Sequence, residues 1–96
     1  MSRHRYLISY DITDDRCRTQ IYQILCDNGD RIQYSVFFCE LNLTELAQIE
    51  MQLKPYVNHD HDQIMILDLG PADAAKQIGI TCIGRAYSPR VRITVI

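Results

Sequence analysis

The sequence predicts an α+β domain with two helices packed on one face of an antiparallel sheet. Two observations carry that prediction. Apolar residues recur at two periods, near-continuous or every second residue in some segments and every third or fourth in others. The segments follow the order strand, helix, strand, strand, helix, strand, and a final period-two segment, "SPRVRITVI", ends the chain.

The first strand is read over 5–12, where Leu7, Ile8, Tyr10 and Ile12 run with little polar interruption, as in a strand covered on both faces. Thr13 or Asp14 offers a helix N-cap, and Asp15 suits the positive end of the helix dipole. Cys17, Ile21, Ile24 and Leu25 then form one apolar stripe. "DNGD" ends this helix, with Gly29 suited to a left-handed C′ position. "RIQYSVFFCEL" (31–41) is rich in branched and aromatic residues. It reads as a short strand near 31–34 and a longer one near 35–41, or as one bent strand.

The second helix is capped by Asn42 or Thr44. Glu45 completes a capping box with Asn42, and Leu46, Ile49, Leu53 and Val57 form the stripe. Pro55 near its end would distort any longer helix. After the loop "NHDHD", "QIMILDL" (63–69) is a nearly continuous apolar strand, "PADAAKQ" a helical turn or two, and "ITCIG" (80–84) strand-like. In the tail, Val91, Ile93 and Val95 alternate with Arg92 and Thr94. A strand with one apolar face, coming after the sheet is complete, needs an edge to pair with, and a partner subunit supplies one. The order is that of a ferredoxin-like βαββαβ fold with an additional C-terminal strand. The expected organisation is a single domain over 1–96, with 85–96 as a dimer-exchange strand.

Composition narrows function by exclusion. No apolar run approaches the roughly 20 residues that span a membrane, and "MSRHRYLISY" reaches Asp11 too soon for a signal-peptide core; a cytoplasmic protein is expected. The four cysteines, at 17, 26, 39 and 82, lack the C-x-x-C pairing of zinc or redox sites, so Cys17 and Cys39 read as reduced core residues. The net charge of −2 argues against a general polyanion binder, but the charges are unevenly distributed. Seven acids and one base, Lys54, lie between Glu40 and Asp73, whereas three arginines and no acid follow from Arg85. Eight of the ten basic residues are arginine, whose planar fork matches phosphate oxygens.

The acids near the first strand's end are the first candidates for chemistry. Asp14 and Asp15 have a sufficient explanation in helix capping. Asp11 does not, because aspartate has poor β propensity and is costly to bury unpaired. Beside Tyr10 and several arginines, it is a candidate ligand for a hard cation such as Mg²⁺. His59-Asp60-His61-Asp62 reads as a solvated loop, and His4 as a surface residue. Tyr34, Phe37 and Phe38 could stack on bases, but strand aromatics more often fill cores. Nothing matches a Gly-rich phosphate loop, G-x-S-x-G or H-E-x-x-H.

"YLISYDITDD", an arginine on the following helix, then "GDRIQYSVFFCEL", resemble the CRISPR-associated Cas-two family, small proteins that act with the Cas-one integrase in acquiring spacers. The resemblance covers nearly the whole chain. It implies a homodimer in which the C-terminal strand extends the partner's sheet and the two strand-end aspartates face one another. The two Asp11 carboxylates would share one Mg²⁺ and promote phosphodiester hydrolysis of RNA or double-stranded DNA. It also implies that Tyr10 supports the catalytic site, that Arg18 and Arg31 hold phosphates, and that Phe37 is an aromatic tied to activity. Where some relatives carry a second helix arginine, this chain has Gln20, and Arg16 is the candidate substitute. A non-catalytic DNA-bridging adaptor and a related toxin-type ribonuclease are the alternatives the same residues leave open.

Overall fold

The computed structural model describes residues 2–73 and 79–86. Seven elements follow in order: β1 (His4–Asp11), α1 (Asp15–Asn28), β2 (Asp30–Gln33), β3 (Val36–Leu41), α2 (Leu43–Leu53), a 3₁₀ turn (Lys54–Tyr56) and β4 (Gln63–Pro71). The four strands form one antiparallel sheet in the order β2-β3-β1-β4. This is the ferredoxin-like arrangement, with β1 in the interior of the sheet.

Alternation along β1 decides what lies under the helices. Tyr6, Ile8 and Tyr10 are buried together with Ile21 and Leu25 of α1, Phe37, Cys39 and Leu41 of β3, and Ile49 and Leu53 of α2. A fully buried Ile, Leu or Phe contributes about 1.5–3 kcal/mol relative to exposure, so these side chains are the main source of stability. Among the described residues the opposite face is left open along β4. Leu7 is half-buried, and Met65, Leu67 and Leu69 are exposed. Of the two faces expected to be covered, the described residues cover the one beneath the helices and leave the β4 side of the other open.

Both helices start as their sequences require. Asp14 caps α1 by accepting the Cys17 N–H at 2.8 Å. At α2, Asn42 accepts the Glu45 N–H at 2.9 Å, and the Glu45 carboxylate accepts the Asn42 N–H at 3.0 Å, closing the capping box. Pro55 falls in the 3₁₀ turn directly after α2. The 31–41 segment is two strands joined by a turn, not one bent strand.

Two expectations are corrected. Gly29 is extended, at φ −165° and ψ −169°, and not left-handed. Glycine is needed there for space: a Cβ would lie 2.4 Å from both the Phe38 carbonyl oxygen and the Cys39 sulfur. The chain leaving α1 presses onto β3 before entering β2. The second correction concerns 80–84, which forms no strand; residues 83–85 bend, with Gly84 at φ +94°. The segment instead lies beside Ile32 and Phe38, where Ile80 to Ala86 help to line a cleft. Branched residues favour extended backbone, but a strand also needs an edge, and this segment finds none among the described residues. The predicted turn of "PADAAKQ" falls largely on 74–78, and the tail strand 90–95 on the last ten residues, both outside the described residues.

Gly29→Ala is expected to destabilise the fold by roughly 1–3 kcal/mol, the range for forcing extra volume into a packed interior. Urea titration followed by circular dichroism measures it. An unchanged midpoint would contradict the contact with β3.

Candidate nucleic-acid site

Strand β1 ends on two candidate residues that point in opposite directions. Tyr10 is buried under the helices, its ring stacked on Phe37 at 6.3 Å between centroids. Asp11, the next residue, is exposed. Among the described residues its carboxylate has no hydrogen-bond or ion-pair partner. Opposite it in the β1–β4 register is Gln63.

The loop after Asp11 is tied down by Asp62. One Asp62 oxygen accepts both the Thr13 N–H (2.9 Å) and the Thr13 hydroxyl (2.7 Å), while the other accepts the Asn58 N–H (2.9 Å). The Thr13 N–H bond, followed by that from Asn58, holds the Asp62 carboxyl below its ordinary value. The sequence reads Asp62 as part of a solvated loop. Its role was hidden because its partner lies 49 residues away; the one available signal was its position just before a predicted strand. Asp14 and Asp15 keep their structural duties: the Cys17 N–H holds the Asp14 carboxyl below its ordinary value, and Asp15 pairs with Arg18.

The arginines divide by what they already touch. Arg3 is committed to acids, with Nη1 2.6 Å from Glu45 and Nε 3.6 Å from Glu40. Arg18 donates to the Ile12 carbonyl at 2.9 Å and to Asp15, which ties α1 to the end of β1. Asp15 is strongly exposed, and an ion pair of that kind contributes little, so Arg18 retains donors for a stronger acceptor. Arg16 is exposed on the first turn of α1. Arg31 has no carboxylate partner among the described residues. Its guanidinium sits 5.8 Å from the Tyr22 ring centre and 5.6 Å from that of Tyr34.

Tyr10, Arg18, Thr19, Tyr22, Arg31 and Tyr34 line one open pocket of about 250 Å³. Burial raises the Tyr10 phenol above its ordinary value, and the Arg31 charge partly offsets this, so the hydroxyl stays protonated at neutral pH. Phe37 is fully buried beneath the pocket, with its ring 5.9 Å from Tyr22 in an edge-on contact. It acts through packing, and its loss would cost about 3–5 kcal/mol. The structure thus brings Tyr10, Arg18 and Arg31 together, places Phe37 beneath them, and sets Asp11 on the other side of the same strand end. Of the three aromatics weighed as base-stacking residues, Phe37 is core, whereas Tyr34 is 73% exposed.

Sheet order and helix placement define a small ferredoxin-like α+β protein. The sequence profile of the family described as CRISPR associated protein Cas2 matches residues 4–77, and the chain belongs to that family. It is 36% identical over 93 residues, spanning 97% of each chain, to the CRISPR-associated endoribonuclease Cas2 of Geobacter sulfurreducens. A crystal structure of Cas2 matches 96% of this chain and 99% of its own at 26% identity, with a TM-score of 0.75. Streptococcus pyogenes Cas2 at pH 6.5 matches 69% of this chain and 86% of its own at 25% identity, with a TM-score of 0.64.

Because the folded Asp62 carboxyl titrates below its ordinary value, its contribution is present above about pH 4 and is lost as pH falls through the folded value. Asp62→Asn should therefore lower the unfolding midpoint at pH 7 and make its decline with acid shallower. Thermal melts between neutral and acid pH check this; parallel curves for the two proteins would contradict it.

Proposed function

We propose that the chain is a Mg²⁺-dependent endonuclease of CRISPR spacer acquisition, working in the cytoplasm as a homodimer on phosphodiester bonds of RNA or double-stranded DNA. The observation that carries this reading is Asp11, an exposed carboxylate at the end of an interior strand with no partner among the described residues. The endoribonuclease name of the Geobacter relative supports the hydrolytic part.

The donor set fits Mg²⁺ in one particular way. Among the described residues no three metal-ligating side chains converge, and of the carboxylates near the end of β1 Asp11 is the one left without a partner, Asp14, Asp15 and Asp62 being engaged. Mg²⁺ commonly takes one or two carboxylates and completes its shell with water and substrate phosphate. Asp11 of each subunit in a two-fold dimer would supply two. When bound, the cation would withdraw charge from the scissile phosphate. Tyr10, fixed against Phe37, holds the strand end in place, and the donors of Arg16, Arg18 and Arg31 are suited to charge-assisted bonds with flanking phosphates.

The sheet face that the described residues leave open along β4 supports the homodimer. Met65, Leu67 and Leu69 are exposed there beside half-buried Leu7 and Phe38, and a contiguous apolar patch of this kind marks an interaction surface. A second reading is a non-catalytic adaptor that grips duplex DNA and bridges the Cas-one integrase. It is favoured by Gln20 in the place of a second helix arginine and by the existing bonds of Arg18.

Asp11→Asn is expected to abolish Mg²⁺-dependent cleavage by the purified protein while leaving its mass in solution unchanged. Cleavage by the variant at the wild-type rate would sink the nuclease reading. Spacer acquisition that persists in Asp11→Asn cells would place the role in the adaptor class. Leu67→Arg should convert the dimer to a folded monomer in light scattering, and an unaltered dimer mass would remove this face from the interface.

A further inference from the structure

The pocket on the helix side of β1 has a composition that phosphate binding alone does not explain. Its lining residues include two arginines, three tyrosines and no acid. The Arg31 guanidinium lies over the rings of both Tyr22 and Tyr34, while Tyr34 remains largely open to solvent. By contrast, the groove between α2 and β4 sets the carboxylates of Glu50 and Asp62 beside a single lysine, Lys54. The tyrosine pocket combines Arg31, which has no carboxylate partner among the described residues, with an accessible aromatic face.

We infer that this pocket receives one unpaired nucleotide of a single-stranded nucleic acid, its base stacked on Tyr34 and its phosphate held by Arg31 and Arg18. The chemistry selects this ligand. A duplex presents phosphates outward but keeps the faces of its bases in the stack, where a surface tyrosine cannot reach them. An unpaired base offers its π face to any aromatic ring, whatever the sequence. Arg31, already over two rings, extends the same platform by cation–π contact and has donors left for a phosphate oxygen. Tyr10 and Asp11 are consecutive and lie on opposite sides of the strand end, with Cα atoms about 3.8 Å apart. A single strand crossing that end would present one phosphate to Asp11 and a neighbouring nucleotide to the pocket. Tyr34 is therefore a substrate-positioning residue, whose contact is open to an unpaired nucleotide and closed to a base within a duplex. This inference rests on the nucleic-acid reading of the chain, but not on Asp11 being catalytic.

The test is equilibrium binding by fluorescence anisotropy in EDTA, with a short labelled single-stranded RNA and a duplex DNA of equal length. Tyr34→Ala should weaken RNA binding by roughly 5- to 100-fold, the loss of one base–aromatic stack. Tyr34→Phe, which keeps the ring, should stay within about twofold of wild type, and Tyr34→Ala should leave duplex affinity unchanged. Full-length RNA affinity in Tyr34→Ala, an equal loss on both probes, or a Phe variant as weak as the Ala variant would each overturn the inference. Wild-type protein that binds neither probe would overturn it together with the function proposed above. Cleavage that survives Asp11→Asn would sink only the catalytic assignment and leave this result standing.

Discussion

The hydrogen bonding of β1 on both of its edges is the constraint from which the rest of the structure follows. It pairs with β3 from His4 to Ser9 and with β4 from His4 to Asp11. A strand held on both sides cannot slip by one residue without exchanging Tyr6, Ile8 and Tyr10 for Arg5, Leu7 and Ser9 beneath the helices. The core therefore sets the register, and the register sets which side of the sheet Asp11 occupies. A carboxylate that would be costly in the middle of the sheet is tolerated at its end, where water still reaches it.

The same strand end organises the surrounding charge. Arg18 reaches back from α1 to the Ile12 carbonyl, and Asp62 reaches across from the α2–β4 loop to Thr13. The residues after β1 are thus held from both sides by polar contacts rather than by apolar packing. Ile12 is the exception, returning to the core at once. Contacts of this kind fix direction without filling the space around Asp11, which is what an open ligand position requires.

Much of the fold was legible because it depends on short-range pattern. The α1 stripe of Ile21 and Leu25, the Asn42–Glu45 box and the apolar run of β4 all reflect residues within a few positions of one another. Gly29 was misread for the opposite reason. A helix-terminal glycine conventionally signals a left-handed backbone, and only the approach of β3, ten residues on, shows that the lack of a side chain is what matters. "ITCIG" shows the complementary failure, since β propensity records a preference for extended backbone but carries no information about an available edge. At the site, Asp11 stood out through its poor fit to a strand. Tyr34 reads in the sequence as an aromatic that more often fills a core, because nothing local shows that the Arg31 guanidinium lies over its ring.

The Asp62 tie has a consequence for how this chain can vary. A surface loop ordinarily accepts inserted residues at small entropic cost, because each doubling of its length adds only about 0.6 kcal/mol. The segment from Asn58 to Asp62 is different. Asn58 donates to Asp62, Asp62 holds Thr13, and Gln63 immediately enters β4 opposite Asp11. Its length is a spacer that sets where one strand begins relative to where another ends. Lengthening it by a residue would detach the clamp or displace the start of β4, so the loop is open to substitution at His59 and His61 but closed to insertion.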